Sequence, residues 1–251
     1  MKLQQNQHVV PQVSRPQVGW SPLGQPRTMG QLSRQARPLK LLGILLLQAL
    51  FMLPSAAAPA AEKALEATPN TGIGPHYPVP SSREADSDLT SQEGIEAIAE
   101  GRPLRLRAKV RGDRGEVVAG ARIVLWQTDA WGKYDHPRAD RSDAEGNPVA
   151  LDPGFQYSGR TLSDESGGFE FLTIVPGAYE GRPAHLHLTI HAEGYRPVAT
   201  EIHFVGDPAA EDDYITTAAQ RALITKRLEQ DPQRPDGLLV VHQIVLTPKA
   251  P

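Results

Sequence analysis

The chain has 251 residues, with 23 Pro, 22 Gly, no Cys and a formal net charge of −3. Without cysteine there are no disulfides, thiolate metal ligands or Cys nucleophiles, so any metal centre must draw on His, Tyr, Asp or Glu. The proline and glycine content, with few long helical patterns, points to one loop-rich β domain plus extensions.

Residues 1–61 carry six basic residues (Lys2, Arg15, Arg27, Arg34, Arg37, Lys40) and no acidic one. An apolar run from Leu41 to Leu53 follows, then Pro54-Ser55-Ala56-Ala57-Ala58-Pro59-Ala60-Ala61. Basic stretch, short apolar core and small-residue exit are the three parts of a secretory signal. The run is too short for a membrane span, which needs about 20 residues. The expectation is cleavage near Ala57 to Ala61, no stable membrane insertion after processing, and a periplasmic or extracellular mature chain. The long basic part makes Met29 a second candidate start. Beyond residue 61, 20 Lys and Arg face 29 Asp and Glu, a net charge of −9. Such an acidic domain is a poor match for nucleic acid or anionic membrane surfaces.

Residues 62–100 read as an extended arm, polar and Pro/Ser-rich, with a short helix or helical turn over Ser91–Ala99 that Gly101 ends. From Pro103, Leu104, Leu106, Ala108 and Val110 alternate with Arg105, Arg107 and Lys109, which predicts a half-buried strand. Arg122–Thr128 follows a turn as a second strand. Asp129–His136 is a loop, and 137–160 reads as irregular and, at that length, functional. Gly168–Ile174 is a strand, and Val175–Gly181 a turn. Arg182–Ile190, Val198–Val205 and Leu238–Leu246 are further strands, with a helix over about Thr217–Glu229. The fold class is all-β: a sandwich of antiparallel strands over 101–251, with long loops and one or two short helices.

His185 and His187 are two apart on a strand, so both imidazoles project to one face, opposite Leu186 and Leu188. That is half of a metal site, or simply a polar strand face. Tyr179 lies six residues before His185, and Tyr134 ends a loop after another strand. A phenolate is a hard anionic donor that suits a trivalent ion. A free phenol ionises near pH 10, so holding it deprotonated at neutral pH takes a strongly charged metal such as ferric iron. His136, His191, His203 and His242 read as structural or surface residues.

Several stretches resemble the intradiol ring-cleavage dioxygenases, the family that includes protocatechuate 3,4-dioxygenase and catechol 1,2-dioxygenase. They run, in order, over residues 68–247: Thr68-Pro69 with Gly74-Pro75-His76-Tyr77; Gly120-Ala121 with Trp126-Gln127-Thr128-Asp129, Gly132-Lys133-Tyr134 and His136; Gly159-Arg160 with Asp164, Gly167, Phe169 and Phe171; Thr173-Ile174-Val175-Pro176-Gly177-Ala178-Tyr179; Arg182-Pro183-Ala184-His185-Leu186-His187; and Phe204 with Gly206-Asp207-Pro208. By matching position, the resemblance implies that Tyr134, Tyr179, His185 and His187 are ligands of non-haem Fe(III). It also implies Tyr179 as a proton acceptor and Arg182 as the cation that offsets charge on the ring. The implied substrates are a small aromatic diol and O2, and the implied product is a cis,cis-muconate-type diacid.

Two features depart from the family pattern. Only Glu180-Gly181 separates Tyr179 from Arg182, and Thr200-Glu201 stands where members such as protocatechuate 3,4-dioxygenase carry Thr-Gln. The chain resembles the short, core-only type, and homo-oligomerisation stays open. A non-catalytic β-sandwich binding module and a hydrolase using a divalent metal are the competing readings. Both tyrosines and both histidines being present argues against the first, and the paired tyrosines against the second.

Overall fold

The computed structural model describes residues 63–80, 85–143, 145–179, 181–210 and 213–250, all within the compact unit Ala57–Pro251. The segment expected to direct export lies outside the described residues. Two sheets face each other. One has four strands: β4 (Gly168–Ile174), β1 (Pro103–Gly112), β9 (Leu238–Leu246) and β8 (Glu229–Gln230), in that order. The other has five: β3 (Ser158–Leu162), β2 (Arg122–Trp126), β5 (His185–His191), β6 (Val198–Phe204) and β7 (Thr225–Lys226).

The period-two pattern of the sequence sets the core. Leu104, Leu106 and Val110 of β1 and Phe171 of β4 point inward, meeting Ile123 and Leu125 of β2, Leu186, Leu188 and Ile190 of β5 and Ile202 of β6. All are 2% exposed or less. Each such side chain contributes about 1.5–3 kcal/mol by leaving water. Most strand pairs are antiparallel, as expected. Two are not: β1 runs parallel to β9, and β6 runs parallel to β7. A parallel pair needs a long crossover, and everything between β1 and β9 provides it.

Three local expectations are corrected. Ser91–Ala99 is not a helix: Gly94 sits at φ 76°, which breaks a right-handed turn. Ile95 and Ile98 there are 48% and 70% exposed, so no apolar face repays the cost of nucleating so short a helix. The helix expected over Thr217–Glu229 is α1, Ala218–Ile224, started by a capping box of Thr217 and Gln220. It stops because Thr225 and Lys226 pair with His203 and Phe204 of β6. Within the stretch read as irregular, Ser158–Leu162 forms edge strand β3. Its sequence carries no apolar alternation. Gly159 is needed there because a Cβ would sit 2.2 Å from the Asp86 carbonyl oxygen of the arm. Among the described residues no helix is long and apolar enough to cross a membrane.

Candidate metal centre

The site lies on the outer face of the five-stranded sheet, opposite the core. Register places His185 of β5 against His203 of β6, and His187 against Glu201. On the other flank His187 faces Trp126 of β2. The Trp126 and His187 rings stack at 4.7 Å, 2° from parallel. An outer face would normally meet solvent. Here the arm and the loops cover it, and all five side chains are 2% exposed or less.

The two tyrosines arrive on segments that meet backbone to backbone. Asp129 folds the first: its Oδ1 accepts the N–H groups of Trp131 and Lys133, and its Oδ2 accepts from Tyr157 Oη at 3.1 Å. Burial raises the Asp129 carboxyl, against these hydrogen bonds. Gly132, at φ 79°, then packs so tightly on the Tyr179 segment that a Cβ would lie 2.2 Å from the Ala178 carbonyl oxygen. Gly177 N–H donates to the Asp129 carbonyl at 2.8 Å, and Thr128 Oγ1 donates to the Gly177 carbonyl at 2.8 Å. Tyr134 and Tyr179 meet edge to face at 5.1 Å. The Tyr179 ring is 5.6 Å from that of His185, and the Tyr134 ring 6.4 Å from that of His187. His76, from the arm, covers Tyr134 at 4.6 Å.

The donor set fits a cation. His185 Nδ1 donates to the Pro183 carbonyl at 2.6 Å, which leaves its Nε2 with a lone pair. That nitrogen faces His187 Nε2 at 3.1 Å. Two imidazole nitrogens each about 2.1 Å from one ion and at right angles would be about 3 Å apart. Burial pushes His185 down to about 4, and pushes His187 well below the ordinary histidine range, with His185 adding to it. Burial, then the charge of Tyr179, raises Tyr134 well above a free phenol. Both imidazoles are therefore neutral at neutral pH, and a bound cation would favour ionisation of the Tyr134 phenol. The Tyr134 hydroxyl is buried without a hydrogen bond of good geometry, as is His187 Nδ1.

All five residues expected from the sequence, Tyr134, Tyr179, Arg182, His185 and His187, come together. Arg182 differs from expectation in its surroundings. Its Nη2 and Nη1 donate to Glu201 at 2.7 and 3.3 Å, and its Nε to Asp213 at 3.0 Å. Burial would lower this guanidinium, but the two carboxylates raise it. Burial would likewise raise Glu201, yet the hydrogen bond from His203, the neighbouring His185 and Arg182 hold it far below the usual range. Sequence reasoning missed the parts of Asp213, His203, His76 and Trp126. His76 lies far along the chain from the strand pair, and Asp213 sits in the segment after β6 with no motif to mark it. His203 was legible only through its register with His185. Donor atoms of His185, His187 and Glu201 lie within 4.8 Å of one another and could hold a metal ion, as could those of Glu201, His203 and Asp213. In the second group Arg182 already supplies the positive charge. Clefts of about 540 and 370 Å³ flank Tyr134 and His76.

Comparison with known proteins shows the family and the fold. A family profile described as Dioxygenase matches residues 73–248. The protocatechuate 3,4-dioxygenase beta chain of Burkholderia cepacia is 34% identical over 161 residues, covering 58% of this chain and 64% of the relative. Catechol 1,2-dioxygenase of Acinetobacter baylyi is 27% identical over 186 residues, covering 66% and 56%. The chain thus spans less than two thirds of the length of these curated relatives. The solved intradiol ring-cleavage dioxygenase from Tetranychus urticae shares the fold with a TM-score of 0.55 at 23% identity, covering 74% of this chain and 96% of that one. The dioxygenase domain of a carbohydrate-binding fusion protein from Streptomyces sp. SirexAA-E gives 0.55 at 23%, covering 73% and 100%. With the profile spanning most of the described sandwich, the chain belongs to the intradiol ring-cleavage dioxygenase family, whose members depend on iron.

Proposed function

We propose that this chain is an intradiol dioxygenase that uses Fe(III) and O2 to cleave a catechol-type diol between its two hydroxyl-bearing carbons, giving a cis,cis-muconate-type diacid. The observation that carries the reading is the convergence of two phenols and two neutral imidazoles, with His185 Nε2 and His187 Nε2 3.1 Å apart. Tyr134, Tyr179, His185 and His187 would hold the ion. When bound, ferric iron supplies Lewis acidity to the diol and the charge that keeps the phenolates ionised. The chain's own residues do the rest. Tyr134 is 4% exposed and locked beneath His76, which makes it a fixed ligand. Tyr179 is only half-buried, so its Oη is the phenol placed to take a diol proton. Pro78, Val79, Trp126 and Tyr157 give the larger cleft an apolar wall for an aromatic ring. Arg182 fixes positive charge beside the centre, compensated by Glu201 and Asp213.

A non-catalytic module is not favoured, since a binding role has no need of all four donors. The test is reconstitution with ferric iron. The loaded protein is expected to absorb in the visible through phenolate-to-iron charge transfer, and to bleach or shift with catechol. Tyr179→Phe and His187→Ala are each expected to change the band. A protein that stays colourless and iron-free overturns the assignment. Export rests on the basic, apolar and small-residue pattern of residues 1–61. Native protein found with the cytosolic fraction would refute that part.

A further inference from the structure

His187 has one ring nitrogen turned to His185 and one left over. The left-over Nδ1 is buried and makes no hydrogen bond. It faces Glu201 Oε1 at 3.7 Å, because the β5–β6 register sets the two residues directly opposite each other. Glu201 is held firmly at that spot. Its Oε2 accepts from His203 Nε2 at 2.8 Å and from Arg182 Nη2 at 2.7 Å, while Oε1 takes Nη1 at 3.3 Å. The His187 ring is confined from the other side by its stack on Trp126. A closing movement of about 0.8 Å brings Nδ1 and Oε1 to hydrogen-bond length.

A histidine that binds a metal through one nitrogen typically donates its other N–H to a carboxylate or carbonyl, which fixes the tautomer and raises ligand basicity. His185 has the Pro183 carbonyl for this. We propose that Glu201 does the same for His187. It is a positioning residue that accepts the His187 Nδ1–H, aims the Nε2 lone pair into the centre and strengthens the ligand. This rests on the proposed function and adds a part to it. It also accounts for a carboxylate at this position. A charged acceptor makes a stronger hydrogen bond than an amide oxygen, and Arg182 is in place to balance its charge. His203 then has a role as well, holding Oε2 so that Oε1 stays turned toward His187.

The test uses the full chain reconstituted with ferric iron, and reads iron retention and the visible spectrum instead of turnover. Glu201→Gln is expected to lose iron to a chelator 10–100-fold more readily. Its charge-transfer band should move to longer wavelength, because a weaker His187 leaves the iron more electron-poor. Asp213→Asn removes the charge of Arg182's other partner but leaves the Glu201–His187 pair in place, so its loss of iron and its band shift should be clearly smaller than those of Glu201→Gln. Unchanged retention and an unchanged band in Glu201→Gln would overturn the inference. So would equal shifts in Asp213→Asn, which would show a general loosening of the charge network. If Glu201→Gln does not fold, His203→Gln takes its place: weaker retention with a red-shifted band supports the inference, and behaviour like the unaltered chain overturns it. A wild-type chain that takes up no iron fails the proposed function itself, and that result is visible before any variant is made.

Discussion

Gly132→Ala tests the contact that holds the two tyrosine segments together. The residue sits at φ 79°, where a Cβ costs about 1–2 kcal/mol. The added carbon would also lie 2.2 Å from the Ala178 carbonyl oxygen and 3.1 Å from its carbon. The segments would have to part by roughly 1 Å to restore ordinary contact, and overpacking of this kind costs about 1–3 kcal/mol. The sum is about 3 kcal/mol, which for a domain of this size lowers the melting temperature by about 6–12 °C. Gly115→Ala is the control: its φ is 84°, but nothing lies within 4 Å of its Cβ position. It carries the backbone cost alone, about 1–2 kcal/mol. Thermal melts of both variants without metal, then chelator challenge after iron loading, separate the two effects. Gly132→Ala should melt well below Gly115→Ala, and it alone should weaken the visible band. If the two melt together and both keep the band, the Gly132–Ala178 approach does not position the tyrosines.

Two further outcomes follow from buried groups. Asp129→Ala removes the acceptor for Trp131 N–H, Lys133 N–H and Tyr157 Oη, and is expected to cost about 2–4 kcal/mol in urea unfolding; a loss within experimental error would mean that the loop is held by other contacts. His242 is 7% exposed, and burial, with Lys226 adding to it, pushes it down to about 3. It stays neutral in the fold while the unfolded chain protonates it near pH 6.5, so its contribution is complete above that pH and declines as pH falls toward 3. Between pH 7 and pH 5 the wild type should therefore lose about 2 kcal/mol relative to His242→Leu. A difference between the two proteins that does not vary with pH would refute this.

Much of the fold was legible because β1, β4, β5, β6 and β9 alternate or run apolar, and period two is the signal that a sandwich writes into its strands. What was not legible had its cause elsewhere in the chain. Edge strand β3 has no apolar pattern and is held by its ladder to β2. The stretch Ser91–Ala99 has helix-forming residues but nothing to bury. Helix α1 ends where parallel pairing with β6 begins. At the site, the grouping of Tyr134, Tyr179, Arg182, His185 and His187 was legible through motifs. The partners of Arg182 were not, since Asp213 reaches it from 31 residues away.

The face that carries the site also explains why these residues need one another. A strand of a two-layer sandwich has one face for the core and one for water, so polar residues at alternate positions ordinarily solvate their outward face. Here the arm and the loop from Asp129 to His136 close over that face and bury its polar groups, which then need partners. Arg182, Glu201, Asp213 and the Nε2 of His203 satisfy each other in a charge network, while His203 Nδ1 makes no hydrogen bond. His185 uses the Pro183 carbonyl through Nδ1. The Tyr134 hydroxyl and His187 Nδ1 have no such hydrogen bond, and the Nε2 atoms of His185 and His187 face each other at 3.1 Å, where either one shared proton or a bound cation settles them. Among the buried polar atoms that make no hydrogen bond, those of Tyr134 and His187 thus lie at one place, beside the facing imidazoles, and the chemistry of that group is that of a metal centre.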